Sequence, residues 1–167
     1  ELDESRATDD KRVSVDVQKA ILLERVGQLA QSRPLLTRLA RSRTTTPSQR
    51  SLCEFALGRI AWEEGDRRSA FDHYRLAISL AEGVPDPTQK CWPAISLLAA
   101  LSDSSDPSAL AQMLSELRWE VLKLGNAHVL AALHAHVGSM EAKRGLFNGA
   151  QSHLRRASEI LATAPNV

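Results

Sequence analysis

Histidine and cysteine side chains are the groups of this chain that could hold a metal ion or supply a nucleophile. His134 and His136 lie two residues apart, so a helix would turn their side chains about 200° away from each other. They could not easily share one ion, and the helical motif with two ligands four residues apart beside a glutamate is missing. Cys53 and Cys91 lack metal-type spacing, and we expect two buried free thiols, with a disulfide as the alternative. The sequence therefore predicts no metal ion and no cofactor.

Carboxylates are densest where Glu63 and Glu64 precede Asp66. Asp66 is explained more simply as the start of a helix, because negative charge stabilises a helix N-terminus, while the glutamates face solvent or a ligand. The sequence contains neither a glycine-rich phosphate loop nor a nucleophile elbow, so we expect that the protein is not an enzyme. A basic stretch consists of Arg38, Arg41, Arg43 and Arg50. It is interpreted as a solvated helix face, or as a surface for an acidic partner or a neighbouring domain.

The charges of the chain almost cancel. Lysine and arginine number 21 against 20 acidic residues, which gives no electrostatic reason to expect nucleic acid or a membrane surface as a partner. No run of roughly 18 or more apolar residues and no signal-peptide pattern is present, so we expect a cytoplasmic protein without a membrane span. Because the first residue is Glu1 rather than methionine, we expect a fragment of a longer protein or a processed chain.

Apolar residues recur at helical spacing through most of the sequence, and no strand pattern competes with them. Residues 1–12 are nearly all polar, so we expect a flexible lead-in before a helical domain at 13–167. About eight helices are expected in this domain, and short connections make successive helices antiparallel neighbours. The hairpins that result lie at about 15–43, 47–83, 87–125 and 127–163.

Two prolines and one glutamate decide details of these helices. Pro34 is expected to separate the first helix from the second, with the proline in the first turn of the new helix. The helix that contains Pro93 either kinks there or begins near Trp92. Glu24 is expected on the polar side of the first helix.

The sequence repeats when it is shifted by 80 residues. The shift aligns Gly58 with Gly138, Gly65 with Gly145, Ala70 with Ala150, His73 with His153, Ala77 with Ala157 and Pro85 with Pro165. Gly58 and Gly138 would lie within helices, where a missing Cβ lets the second helix approach closely. Gly65 and Gly145 would lie at turns, where glycine adopts a positive φ at least cost.

These residues resemble the tetratricopeptide repeat family, which marks its helical hairpin by a Leu-Gly pair, a glycine at the turn, spaced small and large residues, and a late proline. The motif is matched by Leu57-Gly58, Gly65, Ala70, Tyr74 and Ala77, and again by Val137-Gly138, Gly145, Ala150, Leu154 and Ala157. The departures are Glu54 and His134 in place of the family's tryptophan, and Ala61 and Glu141 in place of its tyrosine. The resemblance implies an all-α solenoid of stacked antiparallel hairpins.

The resemblance also implies a concave groove, lined by the first helix of each hairpin, that binds a peptide or protein segment. Transferred to this chain, the partner-binding residues would be Leu52, Phe55, Arg59, Trp62 and Glu63 in the second hairpin, and Ser139 and Lys143, with Ala132, Ala135 and Ala142, in the last. Trp62 and Arg59 stand out because tryptophan and arginine dominate binding hot spots. The alternatives are that Trp62 packs against the preceding hairpin and that Arg59 is solvated.

The leading hypothesis is a non-enzymatic protein–protein interaction module that recognises a peptide or partner domain. The alternative is a helical-repeat sensor or effector region of a larger signalling protein or transcription regulator, similar to those of large bacterial regulators, in which the groove binds a small molecule or an inhibitory partner. Contact with a second copy, or with domains outside this chain, is expected at an apolar side of the last helix. That side includes Leu146, Phe147, Leu154, Ile160 and Leu161.

Overall fold

The computed structural model describes residues 2–102 and 107–164, with side chains from residue 11 onwards except those of 107 and 109. These residues form eight helices and no strand, as expected for an all-α protein. The helices are α1 (Leu2–Arg25), α2 (Leu29–Arg41), α3 (Pro47–Glu63), α4 (Arg67–Ala81), α5 (Thr88–Leu101), α6 (Pro107–Leu124), α7 (Ala127–Lys143) and α8 (Phe147–Thr163).

The first two helices differ from the sequence prediction at both ends of α1. α1 begins at Leu2, so residues 2–12, the expected flexible lead-in, have helical backbone. It ends at Arg25 rather than at Pro34, and Pro34 lies inside α2. Gly27 decides this boundary, because its φ of 77° cannot continue a helix. A proline, by contrast, takes a helical φ, and α2 runs through Pro34 despite the lost N–H donor and the crowding against the carbonyl of the preceding turn.

Three of the later helices begin at a residue whose side chain caps them, and Asp66 is one of these, as expected. Thr46 forms a capping box with Gln49 at the start of α3, and the Asp66 carboxylate accepts from the Ser69 amide at the start of α4. The Asn126 side chain accepts from two amides in the first turn of α7. α5 begins at Thr88 and contains Pro93, so the alternative start near Trp92 is wrong.

The chain divides into two compact units, residues 1–93 and 94–167. In the first unit α1 packs on α2, both of these pack on α3, and α3 packs on α4. In the second unit α7 packs on α8 and α6 contacts α7. Neighbouring helices therefore pack in pairs, as in a helical-repeat fold. The turn of the expected hairpin at 87–125 includes 103–106, which lie outside the described residues.

The two mid-helix glycines of the repeat, Gly58 and Gly138, pack closely against the second helix of their hairpin. A Cβ on Gly58 would lie 2.6 Å from two ring carbons of Tyr74, and a Cβ on Gly138 would lie 3.0 Å from Cγ of Leu154. Tyr74 is only 3% exposed, so its ring has little room to move. The close packing expected from the repeat is therefore confirmed in both copies.

Each unit has a buried core built from these helices. In the first unit the core consists of Val17, Ala20, Leu36, Leu39, Ala40, Cys53, Ala56, Leu57 and Ile60. In the second unit the buried residues include Val121, Val129, Leu133, Val137, Met140, Ala150 and Ala157. Within the described part of the chain, no helix has the length and apolar character needed to cross a membrane.

Candidate functional site

A cleft of about 540 Å³ opens in the first unit, between α1, α3 and the stretch that leads into α5. Its lining residues are Gln18, Ile21, Leu22, Arg25, Ser51, Leu52, Phe55, Ala56, Arg59, Asp86, Thr88, Gln89 and Trp92. α1, α3 and α5 are the first helices of three successive expected hairpins. The cleft therefore lies on the helices that the family resemblance assigns to a binding groove.

Three of the five residues predicted in the second hairpin line this cleft, namely Leu52, Phe55 and Arg59. All three are half-buried. Trp62 and Glu63 lie one turn further along α3 and are not among the lining residues. Glu63 is exposed. The structure thus brings part of the predicted set together and places the rest beyond the end of the cleft.

The indole of Trp62 stacks under a cation from the next helix. The guanidinium carbon of Arg67 lies 3.5 Å from the centre of the Trp62 ring. This stacking, at the turn between α3 and α4, stabilises the end of its own hairpin. The alternative for Trp62 is packing against the preceding hairpin, and the stacking with Arg67 is a different contact.

Arg59 forms an ion pair with Glu24 that joins α3 to α1 across one wall of the cleft. The same guanidinium lies 5.1 Å from the centre of the Phe55 ring. Its side chain is 30% exposed and ion-paired, so the alternative of a simply solvated Arg59 does not hold. The guanidinium instead holds two elements of the cleft together, and it orients an aromatic side chain that faces the cleft.

Glu24 is buried, with only 7% of its surface exposed, and not on the polar side of α1 as expected. Burial raises the pKa of its carboxyl, and the Arg59 guanidinium opposes this by favouring the charged form. The nearby Glu63 carboxylate adds to the rise in pKa. A buried carboxylate held by one guanidinium is a sensitive point of the fold, because losing the partner leaves its charge uncompensated.

Aromatic and polar groups that sequence reasoning missed complete the cleft. Trp92 in α5 is half-buried and faces the cleft, together with Ile21 and Leu22 of α1. Asp86 accepts hydrogen bonds from the amide and the hydroxyl of Thr88, at 2.9 and 2.6 Å, which fixes the entry to α5. The sequence around Trp92 does not show which face of α5 this residue occupies. It therefore does not predict that Trp92 lines the cleft.

The residues predicted in the last hairpin belong to the second unit. Ser139 and Lys143 are exposed, and Ala132, Ala135 and Ala142 are half-buried. The two cavities described for this unit are lined by other residues. A binding role for Ser139 and Lys143 therefore stays a prediction.

The apolar side of α8 is largely open to solvent. The exposed fractions are 56% for Leu146, 71% for Phe147, 48% for Leu154 and 50% for Leu161, while Ile160 is half-buried. A patch of this kind is compatible with the predicted contact to a second copy or to another domain.

The basic stretch is partly explained by contacts inside the first unit. The Arg50 side chain donates to the carbonyl of Ala40 at 3.0 Å, and Arg38 lies 3.9 Å from the Asp16 carboxylate. Arg41 and Arg43 are exposed at the end of α2. Because Arg50 is tied to the backbone, the four arginines do not form one uniform solvated face.

Both cysteines are buried and free, as expected. Burial raises the pKa of the Cys53 thiol to about 12, so the thiolate needed for nucleophilic chemistry is scarce near neutral pH. Among the described residues, no group of three or more histidine, cysteine or carboxylate side chains could hold a metal ion.

The aligned positions of the repeat make the same pairwise contact with different chemistry. In the first unit Nδ1 of His73 lies 2.6 Å from the Glu54 carboxylate. In the second unit Nδ1 of His153 lies 2.9 Å from Nδ1 of His134, which is aligned with Glu54. A carboxylate–imidazole contact in one hairpin is thus replaced by a contact between two imidazoles in the other.

No protein-family model matches the chain, and no curated protein matches it. The tetratricopeptide resemblance consequently stays a prediction.

Proposed function

We propose that the chain is a non-enzymatic protein-interaction module that binds a peptide segment of a partner protein in the cleft of the first unit. The observation that carries this proposal is the cleft itself, which opens on α1, α3 and the start of α5. Its volume of about 540 Å³ lies within the range of ~300–1,000 Å³ that is usual for ligand sites. Several side chains of a bound segment would fit.

The chemistry of the cleft suits a segment with apolar side chains and polar backbone. Phe55 and Trp92 supply half-buried aromatic surfaces, and Leu22 is 61% exposed at the edge. Arg25 and Asp86 place opposite charges among the lining residues. Aromatic anchors surrounded by polar groups are typical of binding hot spots.

Arg59 is unsuitable for testing this proposal, because its replacement would leave the buried Glu24 carboxylate unpaired. Leu22 is better, since an exposed side chain can be shortened without disturbing the core. Val15 on the same helix is a matched control, being 66% exposed and absent from the lining residues.

A library of random displayed peptides would be selected on the whole chain, and the enriched peptides would be titrated by fluorescence anisotropy. Leu22→Ser should weaken their affinity by about tenfold, since about 1.5 kcal/mol of apolar contact is lost. Val15→Ser should bind as the unchanged chain does. The proposal fails if no peptide is enriched, or if the two variants bind the enriched peptides equally.

The second candidate is a sensor region of a larger signalling protein or transcription regulator. Two cavities of small-molecule size in the second unit favour it. A nucleotide-binding or DNA-binding domain in the same polypeptide would support the sensor over the interaction module.

A further inference from the structure

The second unit contains two cavities that share three lining residues, Arg118, His134 and His153. One cavity, of about 200 Å³, is otherwise lined by Leu114, Leu130, Leu133, Val137 and Glu141. The other, of about 410 Å³, is otherwise lined by Ser152, Arg155, Arg156 and Glu159. An apolar cavity and a basic cavity thus meet at one arginine and the imidazole pair.

We propose that these adjoining cavities form a site for a small amphipathic anion, with its apolar chain among the leucines and its anionic head beside Arg118 and the imidazole pair. This site is separate from the cleft of the first unit and does not depend on the proposed peptide binding. An anion without an apolar chain, or an apolar molecule without a charge, would occupy only one of the two cavities.

The charges of the basic cavity favour an anion. Three guanidinium groups line it against one carboxylate, that of Glu159. This carboxylate is already shared, lying 3.3 Å from Arg156 and 4.0 Å from Arg155. A ligand carboxylate would therefore meet an excess of positive charge, and hydrogen bonds between charged groups are stronger than neutral ones.

The imidazole pair can bind a proton, and the positive charge that results would attract an anion. At the Nδ1–Nδ1 distance of 2.9 Å, one imidazole donates and the other accepts. Protonating both would bring like charges together. Oε1 of Glu141 lies 4.0 Å from Nε2 of His153, on the far side of that ring from His134.

The groups that face the pair explain why an anion and a proton should bind together. Arg118 from α6 and Arg156 from α8 lower the pKa of His134, after burial and the His153 ring. An anionic ligand head bound beside these arginines would offset their positive charge, so that His134 would bind a proton more easily. The carboxylates at the site are those of Glu141, in the apolar cavity, and Glu159, in the basic cavity.

The apolar cavity fixes the other half of the ligand. Its four aliphatic residues and its volume of about 200 Å³ suit an unbranched chain or a small ring rather than a peptide. Affinity should then rise about fourfold for each methylene that is buried.

Octanoate is the probe, titrated into the whole chain by calorimetry, with butanoate, octan-1-ol and inorganic phosphate as comparisons. Octanoate should bind more tightly than each of the others, and more tightly at pH 6 than at pH 8, while octan-1-ol should show no pH dependence. Histidine ring resonances of the second unit should shift on addition of octanoate.

Arg118→Gln should weaken octanoate binding by about tenfold and leave the binding of octan-1-ol unchanged. Lys123→Gln on the same helix makes the same charge change outside both cavities and should have no effect. The proposal is overturned if octanoate does not bind, if phosphate binds as tightly as octanoate, or if both variants weaken octanoate equally. Thermal melting confirms that each variant is folded, which the exposed position of Arg118 leads us to expect.

Discussion

The ion pair between Arg59 and Glu24 predicts a strong and pH-dependent loss of stability when the arginine alone is replaced. Methionine is the chosen substitute, because it keeps an unbranched chain against Phe55 and removes the charge. In Arg59→Met the Glu24 carboxylate stays buried at 7% exposure without its guanidinium. Its pKa, already raised by burial, should then rise further.

The expected magnitude follows from the burial of the two partners. Removing one member of a buried ion pair typically costs ~3–5 kcal/mol. Water reaches part of the Arg59 side chain, which is 30% exposed, so we expect the lower end, about 3 kcal/mol at pH 8. Glu24→Gln in the same chain removes the stranded charge, and the double variant should lose only about 1 kcal/mol.

The sign of the pH effect follows from the raised pKa of Glu24. A carboxyl with a higher pKa in the folded chain adds stability below its unfolded value, and this stability is lost as pH rises through the folded value. The loss in Arg59→Met should therefore be smaller at pH 4.5 than at pH 8. Glu24→Gln should remove this difference.

Urea unfolding followed by circular dichroism, at both pH values, gives the four free energies of unfolding for the double-mutant cycle. Urea is chosen because guanidinium chloride would screen the ion pair. The reasoning is refuted if Arg59→Met and the double variant unfold alike at pH 8, or if the loss in Arg59→Met does not change with pH.

Three further predictions concern the repeat. Gly58→Leu should cost at least about 2 kcal/mol in unfolding free energy, since even a Cβ meets the Tyr74 ring at 2.6 Å, whereas Ser79→Leu at an exposed site of α4 should change little. Asn126→Ala should lower the free energy of unfolding by about 1 kcal/mol in urea, because two amides lose their acceptor. His134→Glu should recreate the carboxylate–imidazole contact of positions 54 and 73 and stabilise the second unit by up to about 1 kcal/mol in thermal melts at pH 6. An unaltered melting temperature at pH 6 would contradict it.

The parts of the fold that the sequence predicts well are those set by local chemistry. Gly65 and Gly145 have φ of 83° and 76°, and Asp66 caps α4. Each of these depends on a single residue and its near neighbours, so one sequence is sufficient. The shift of 80 residues then relates two hairpins that the structure builds in the same way.

The structure differs from the sequence prediction where a distant residue determines burial, or where two helix-breaking residues compete to end a helix. Periodicity places Glu24 with the polar residues, and nothing nearby indicates that Arg59, 35 positions later, will pair with it. Pro34 looks the stronger breaker, yet Gly27 ends α1 because its positive φ excludes a helix, while α2 continues through Pro34, whose φ is restricted to helical values. The sequence does not fix which face of α5 is buried, so it does not predict that Trp92 lines the cleft.

The two hairpins of the repeat show how one backbone arrangement can serve two purposes. The contact between positions 54 and 73 recurs between 134 and 153, at 2.6 and 2.9 Å. In the first hairpin a buried carboxylate and an imidazole satisfy each other, so the contact serves packing. In the second hairpin neither imidazole supplies a negative charge, and three guanidinium groups line the adjoining cavity. The Glu141 carboxylate lies on the other side of the His153 ring, 4.0 Å from Nε2, so position 134 itself carries no negative charge, and an anion supplied from solution would bring one beside Arg118 and the imidazole pair.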